Sequence, residues 1–160
     1  MTLAQFCDWL AHTPLSLLLG AHHWITPAVQ TVHILAVASV LASVLVVDVR
    51  LLQGGGKDRF PQFARRYIPW IWRALIVLLA TGALLVIGEP ARSLQNAVFV
   101  SKMVMVVLAA SLTAAAQGPL QTAAEGPEPI ALPAFAKPFA VVSLLLWAAI
   151  VFAGRWIAYV

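Results

Sequence analysis

Four uninterrupted apolar stretches, each long enough to cross a bilayer, constrain this chain more than any other feature. A helix needs about 20 mainly apolar residues to span the hydrocarbon. The stretches cover about residues 27–52, 67–88, 96–116 and 138–158. Lipid offers no hydrogen bonds to a bare backbone, so helices are the form such spans take. Composition agrees: 62% of residues are hydrophobic and 10% charged, against about 25% charged in a typical soluble domain. So few charges cannot cover a soluble fold of this size. The predicted fold is all-α: an integral membrane four-helix bundle, a single membrane domain over residues 1–160 with the lipid bilayer as its solvent. A soluble enzyme is excluded.

Local signals set the expected boundaries. Thr26 and Pro27 form an N-cap and first-turn pair for the first span, and Gly54-Gly55-Gly56 ends it. Glu89-Pro90 ends the second span and Gly118-Pro119 the third, leaving residues 119–136 as a loop rich in Pro, Ala and Gly. Lys137-Pro138 opens the fourth. Residues 1–25 are different, because Gln5, Asp8, His12 and Pro14 interrupt their apolar character. They are expected to form an N-terminal interfacial helical segment of two short pieces, with a fifth span as the alternative. The segment lacks the basic opening of a signal peptide and is expected to be retained.

The basic residues set the orientation. Arg50, Lys57, Arg59, Arg65 and Arg66 cluster between the first two spans, none precedes Pro27, and the next connection has only Arg92. The positive-inside rule places the first loop in the cytoplasm and both termini outside, in a bacterial inner membrane. The net charge of +4 therefore reflects topology, and nucleic acid is not a partner. Cys7, the single cysteine, has no internal disulfide partner.

Ionisable residues inside spans are costly and point to function. His33 lies about two turns into the first span, Lys102 about two turns into the third, and Arg155 near the outer end of the fourth. His22 and His23 lie just outside the first span. All five fall in one outer layer. A neutral imidazole offers a lone pair to a metal or haem iron; otherwise His33 is hydrogen-bonded within the bundle. Its helical face includes Gln30, Ala36, Val40 and Ser43, and the small Ala36 leaves room beside the ring. Lys102 either pairs with a carboxylate, a haem propionate or a quinone oxygen, or snorkels to the headgroups. Arg155 either binds a propionate or anchors the interface with Trp156 and Tyr159. His22 and His23 point about 100° apart on a helix, so only one faces a given partner; the alternative is an exposed pair. Met103 and Met105 are soft thioether donors or packing residues.

At the inner side, Asp48 and Arg50 read as a helix-end ion pair, with Arg73 at a depth to pair with Asp48. Ser39/Ser43 and Ala109/Thr113 read as small-residue packing faces. The sequence lacks a phosphate-binding loop, a CxxC pair and an HExxH motif. No catalytic residue is assigned, and whether the chain is an enzyme stays open.

Three segments resemble an uncharacterised bacterial family of four-helix integral membrane proteins, a domain of unknown function. They are Pro27-Ala-Val-Gln-Thr-Val-His33 with Asp48-Val-Arg50, then Phe99-Val-Ser-Lys102-Met103, then Gly154-Arg-Trp-Ile-Ala-Tyr159. The layout is also similar to the HemJ-type membrane protoporphyrinogen oxidases and, more loosely, to the CopD-type copper-resistance domain. The HemJ resemblance implies haem b ligated by His33, an essential role for Lys102, and a basic pair at Arg65-Arg66. Against it stand the N-terminal segment and differing surrounding motifs.

Three functions are therefore carried forward. The first is a b-type haem-binding membrane protein in electron transfer, with His33 as metal ligand, Lys102, Arg155, His22 and His23 as cofactor-binding residues, and a quinone or redox protein as partner. The second is a non-enzymatic membrane anchor or assembly subunit, within a homo- or hetero-oligomer. The third is copper or small-solute transport.

Overall fold

The structure is a computed structural model that describes residues 2–54, 60–125 and 134–157, with the backbone alone for 60–65 and 119–125. Its described residues form seven helices and no strand. Two short helices, α1 (Leu3–Ala11) and α2 (Pro14–Ala21), precede four long ones: α3 (Ile25–Leu52), α4 (Phe60–Gly88), α6 (Ala97–Glu125) and α7 (Ala136–Trp156). The one-turn helix α5 (Pro90–Leu94) joins α4 to α6. All four long helices are apolar enough over sufficient length to cross a membrane.

Local chemistry explains the short helices. Thr2 and Gln5 make a reciprocal capping box at the start of α1. Thr13 caps α2, with Pro14 at its first position. The expected two-piece segment therefore forms, and it folds back on the bundle. The Cys7 thiol lies 3.8 Å from the Pro90 carbonyl, and Leu19 packs on Gly88. Together α1, α2 and α5 cover the end of the bundle that carries His33.

The long helices pack in an up-down ring: α3 against α4, α4 against α6, α6 against α7, and α7 back against α3. The α3 seam is Ala36, Val40, Ser43, Val44, Val47 and Leu51, all buried, at the spacing of one helical face. Lipid gives no hydrophobic drive for helix association, so close contact through small and β-branched side chains does this work. Ser43 belongs to the seam. Ser39, expected to share it, is exposed and donates back to Leu35. Ala109 is buried and Thr113 half-buried, and both sit on the packed side of α6.

The helices outrun the apolar stretches. α3 starts at Ile25, two residues before Pro27. Pro27 is tolerated there because first-turn N–H groups have no intrahelical partner. α4 begins at Phe60 and passes through Pro69. α6 continues through Gly118-Pro119 to Glu125, since a proline removes one backbone bond and bends a helix without always ending it. The rest of the expected second inner loop, residues 126–133, lies outside the described residues. So do Lys57, Arg59 and Tyr159.

Candidate functional site

His33 projects from the first third of α3 toward the last third of α4. Its Nδ1 lies 2.9 Å from Thr81 Oγ1. A threonine hydroxyl has one proton to give, and Thr81 gives it to its own helix, with Val77 O at 2.7 Å and Leu78 O at 3.2 Å. Such back-bonding is ordinary for threonine in a helix. The Thr81 oxygen can then accept from His33 Nδ1. In the tautomer that suits this arrangement Nδ1 carries the proton and Nε2 a lone pair. Gly82 flanks the ring, and a methyl group there would stand 3.4 Å from His33 Cε1.

Lys102 enters from α6. Asn96 caps that helix, accepting from the Val98 and Phe99 amides at 2.9 and 3.3 Å, which fixes where Lys102 falls. Its ammonium lies against Gly154 of α7, 3.2 Å from where a Cβ would stand. Both side chains are half-buried. His33 packs on α4 and Lys102 on α7, each turned toward a neighbouring helix of the ring.

The other outer-layer residues are arranged differently. Arg155 is exposed and lines a groove of about 540 Å³ between α3 and α7, with Leu41, Leu45, Trp147 and Phe152. It is one residue round the helix from Gly154, about 100° away. Phe152 stacks on Trp156 with centroids 5.5 Å apart. His22 and His23 are both exposed in the connection before α3, and His22 bonds the Leu18 carbonyl at 3.3 Å. Neither joins His33 or Lys102 among the described residues. His12 caps α1 through the Asp8 carbonyl at 2.7 Å. Met105 packs against the core, while Met103, next to Lys102, is half-buried. Among the described residues no group of three His, Cys, Asp or Glu side chains converges.

The inner end departs from expectation. Asp48 is 1% exposed and lies within the bundle rather than in a helix-end ion pair. Arg50 is two residues away, and such neighbours do not face each other on a helix. Arg73 is exposed, with its guanidinium 6.0 Å from the Trp70 ring. Asp48 instead shares the lining of a small cavity with Ser143 of α7. Sequence reasoning passed over Thr81, Gly82 and Ser143. The available signal was a polar or small residue inside an apolar run, which is weak because such residues also serve plain packing.

A family model described as a family of unknown function (DUF6644) matches residues 11–160. No curated protein matches the chain. No solved structure matches it.

Proposed function

Since the chain belongs to the DUF6644 family of unknown function, we propose from its geometry that it is a b-type haem-binding membrane protein in electron transfer. His33 would hold the haem iron, and a quinone or a redox protein would be the partner. The observation that carries this reading is the His33 Nδ1–Thr81 hydrogen bond, which, with Nδ1 as the donor, leaves Nε2 a lone pair. Metal-ligating histidines characteristically give their other N–H to an acceptor that fixes tautomer and ring orientation, and Thr81 is that acceptor here.

The residues present fit one face of a haem. Lys102 supplies a positive charge suited to a propionate. Gly82 and Gly154 let the imidazole and the ammonium lie close against the backbones of α4 and α7. When bound, haem supplies one-electron chemistry at its iron. This chain's residues orient the imidazole, neutralise carboxylate charge and, through α1, α2 and α5, cover that end of the bundle. Arg155, His22 and His23 are assigned no part in the first contact. The clustered basic residues support an orientation with the Asp48 end in the cytoplasm and the His33 end outside, in an inner membrane.

The test is an absorption spectrum of detergent-purified protein, with and without dithionite. The expected result is a Soret band in the native protein that His33→Ala abolishes while helicity is retained. A colourless protein that also fails to take up added haemin defeats the reading. One observation favours a second reading. The membrane-length window of α6 is 11% buried, against 28–33% for the other three. A partner helix seated on α6 would make the chain an anchor or assembly subunit. Co-purification of a stoichiometric membrane partner with a colourless chain is the result that selects it.

A further inference from the structure

At the end of the bundle opposite His33, all four long helices line a cavity of about 20 Å³. Asp48, Thr113, Gln117 and Ser143 supply its polar lining, and Val47 and Ile71 are among its apolar walls. The Asp48 carboxyl is almost wholly buried, and its Oδ2 has no hydrogen-bond partner among the described residues. Its neighbours are set up as oxygen donors. Thr113 has committed its proton to the Ala109 carbonyl at 2.8 Å, so it offers the cavity a lone pair. Gln117 Oε1 is held by the Trp72 indole N–H at 2.9 Å and keeps a second lone pair. Ser143 lines the same cavity and offers its oxygen lone pairs.

A carboxyl in a low-dielectric interior is either protonated or compensated by a positive charge. Oxygen ligands without nitrogen or sulfur select hard cations over copper or zinc. One anionic and three neutral oxygens balance a single positive charge, whereas calcium takes six to eight oxygens and magnesium keeps several waters. The space admits one water-sized body, so the ion must shed its hydration shell. The geometry points to a binding site for one dehydrated, sodium-sized monovalent cation, held by Asp48 of α3, Thr113 and Gln117 of α6, and Ser143 of α7. Asp48 is four residues from the end of α3, a rise of about 6 Å, so the path from that surface is short. Occupancy ties three helices together and stabilises the bundle as any ligand of the folded state does. The site is independent of the haem reading.

The experiment is thermal unfolding of the detergent-solubilised full chain in lithium, sodium, potassium or choline chloride at constant ionic strength and pH. Lithium and sodium are expected to raise Tm saturably by several degrees over choline, potassium less so. Asp48→Asn is expected to abolish the rise, and His33→Ala to retain it. If Asp48→Asn fails to fold, Ser143→Ala and Thr113→Val carry the test, each moving the sodium midpoint severalfold upward. The proposal is overturned if sodium and choline give the same Tm. It is overturned equally if Asp48→Asn responds like the native chain, or if both conservative variants keep the native midpoint. A Tm that follows pH but not sodium also overturns it, and leaves a protonated carboxyl with a buried water in place of the ion.

Discussion

The two ends of the bundle handle buried polarity in opposite ways. At the His33 end the imidazole and the ammonium are half-buried. Their nearest neighbours include Gly82 and Gly154, and the covering is made of short helices rather than of the ring itself. At the Asp48 end the carboxyl is enclosed by all four long helices, with room for one small body. Packing at the two ends therefore sets the size of ligand each accepts. Loose covering suits a large flat partner. A closed seam of Val44, Val47 and Ile71 suits a single atom. The ends also differ in hydrogen-bond economy. The His33 imidazole is paired with Thr81 within the bundle. At Asp48 the Oδ2 oxygen is buried without a partner among the described residues.

The comparison breaks most clearly at His33. His33→Ala is expected to remove all haem absorbance from purified protein while circular dichroism stays native; a retained Soret band places the ligand elsewhere. Thr81→Val keeps the shape and removes the acceptor for Nδ1. Haem affinity, read by titration of the apoprotein, is expected to fall by about 10–100-fold, the usual cost of losing an outer-shell partner. Unchanged affinity would show that the ring orients itself without Thr81.

At the other end, Ser143→Ala removes a hydroxyl from the polar lining around the Asp48 carboxyl. Stability in choline buffer is expected to drop by about 1–3 kcal/mol, the usual penalty for an unsatisfied buried polar group. An unaltered melting curve would mean that Ser143 does not serve Asp48. The last comparison sharpens the seam itself. Ser43→Leu overpacks a buried position and is expected to cost about 1–3 kcal/mol. Ser39→Leu, on the exposed side, is expected to leave the melting curve in place. Equal effects at the two positions would show that the α3 seam is rotated from the one described.

Much of the architecture was legible because apolar length is a physical requirement that no tertiary detail overrides. The four spans, the two-piece segment before them and the shared depth of His33 and Lys102 all follow from run lengths and polar positions. The helix ends were less legible. Pro27 and Pro119 read as boundaries, yet each is accommodated, one in an unbonded first turn and one by continuation to Glu125. Asp48 was misread because depth was judged from its distance to the helix end. What buries it is the rotation of α3, which turns Asp48 inward beside Val47 and toward Ser143 of α7, and a single-helix reading does not contain that contact. The equivalence of Ser39 and Ser43 failed for the same reason: spacing names a stripe but not the direction it faces.

Sequence alone determined that this chain lives in lipid, how many times its helices can cross and which polar groups share a level. Those follow from the cost of exposing backbone and charge to hydrocarbon. Only the packed bundle decided which groups at one level meet. His33 meets Thr81, Lys102 lies against Gly154, Arg155 turns to a groove, and Asp48 shares a cavity with Ser143 rather than pairing with an arginine. The reason is angular. Depth along a helix is written in residue number, but azimuth becomes meaningful only when a neighbouring helix sets which side is inside.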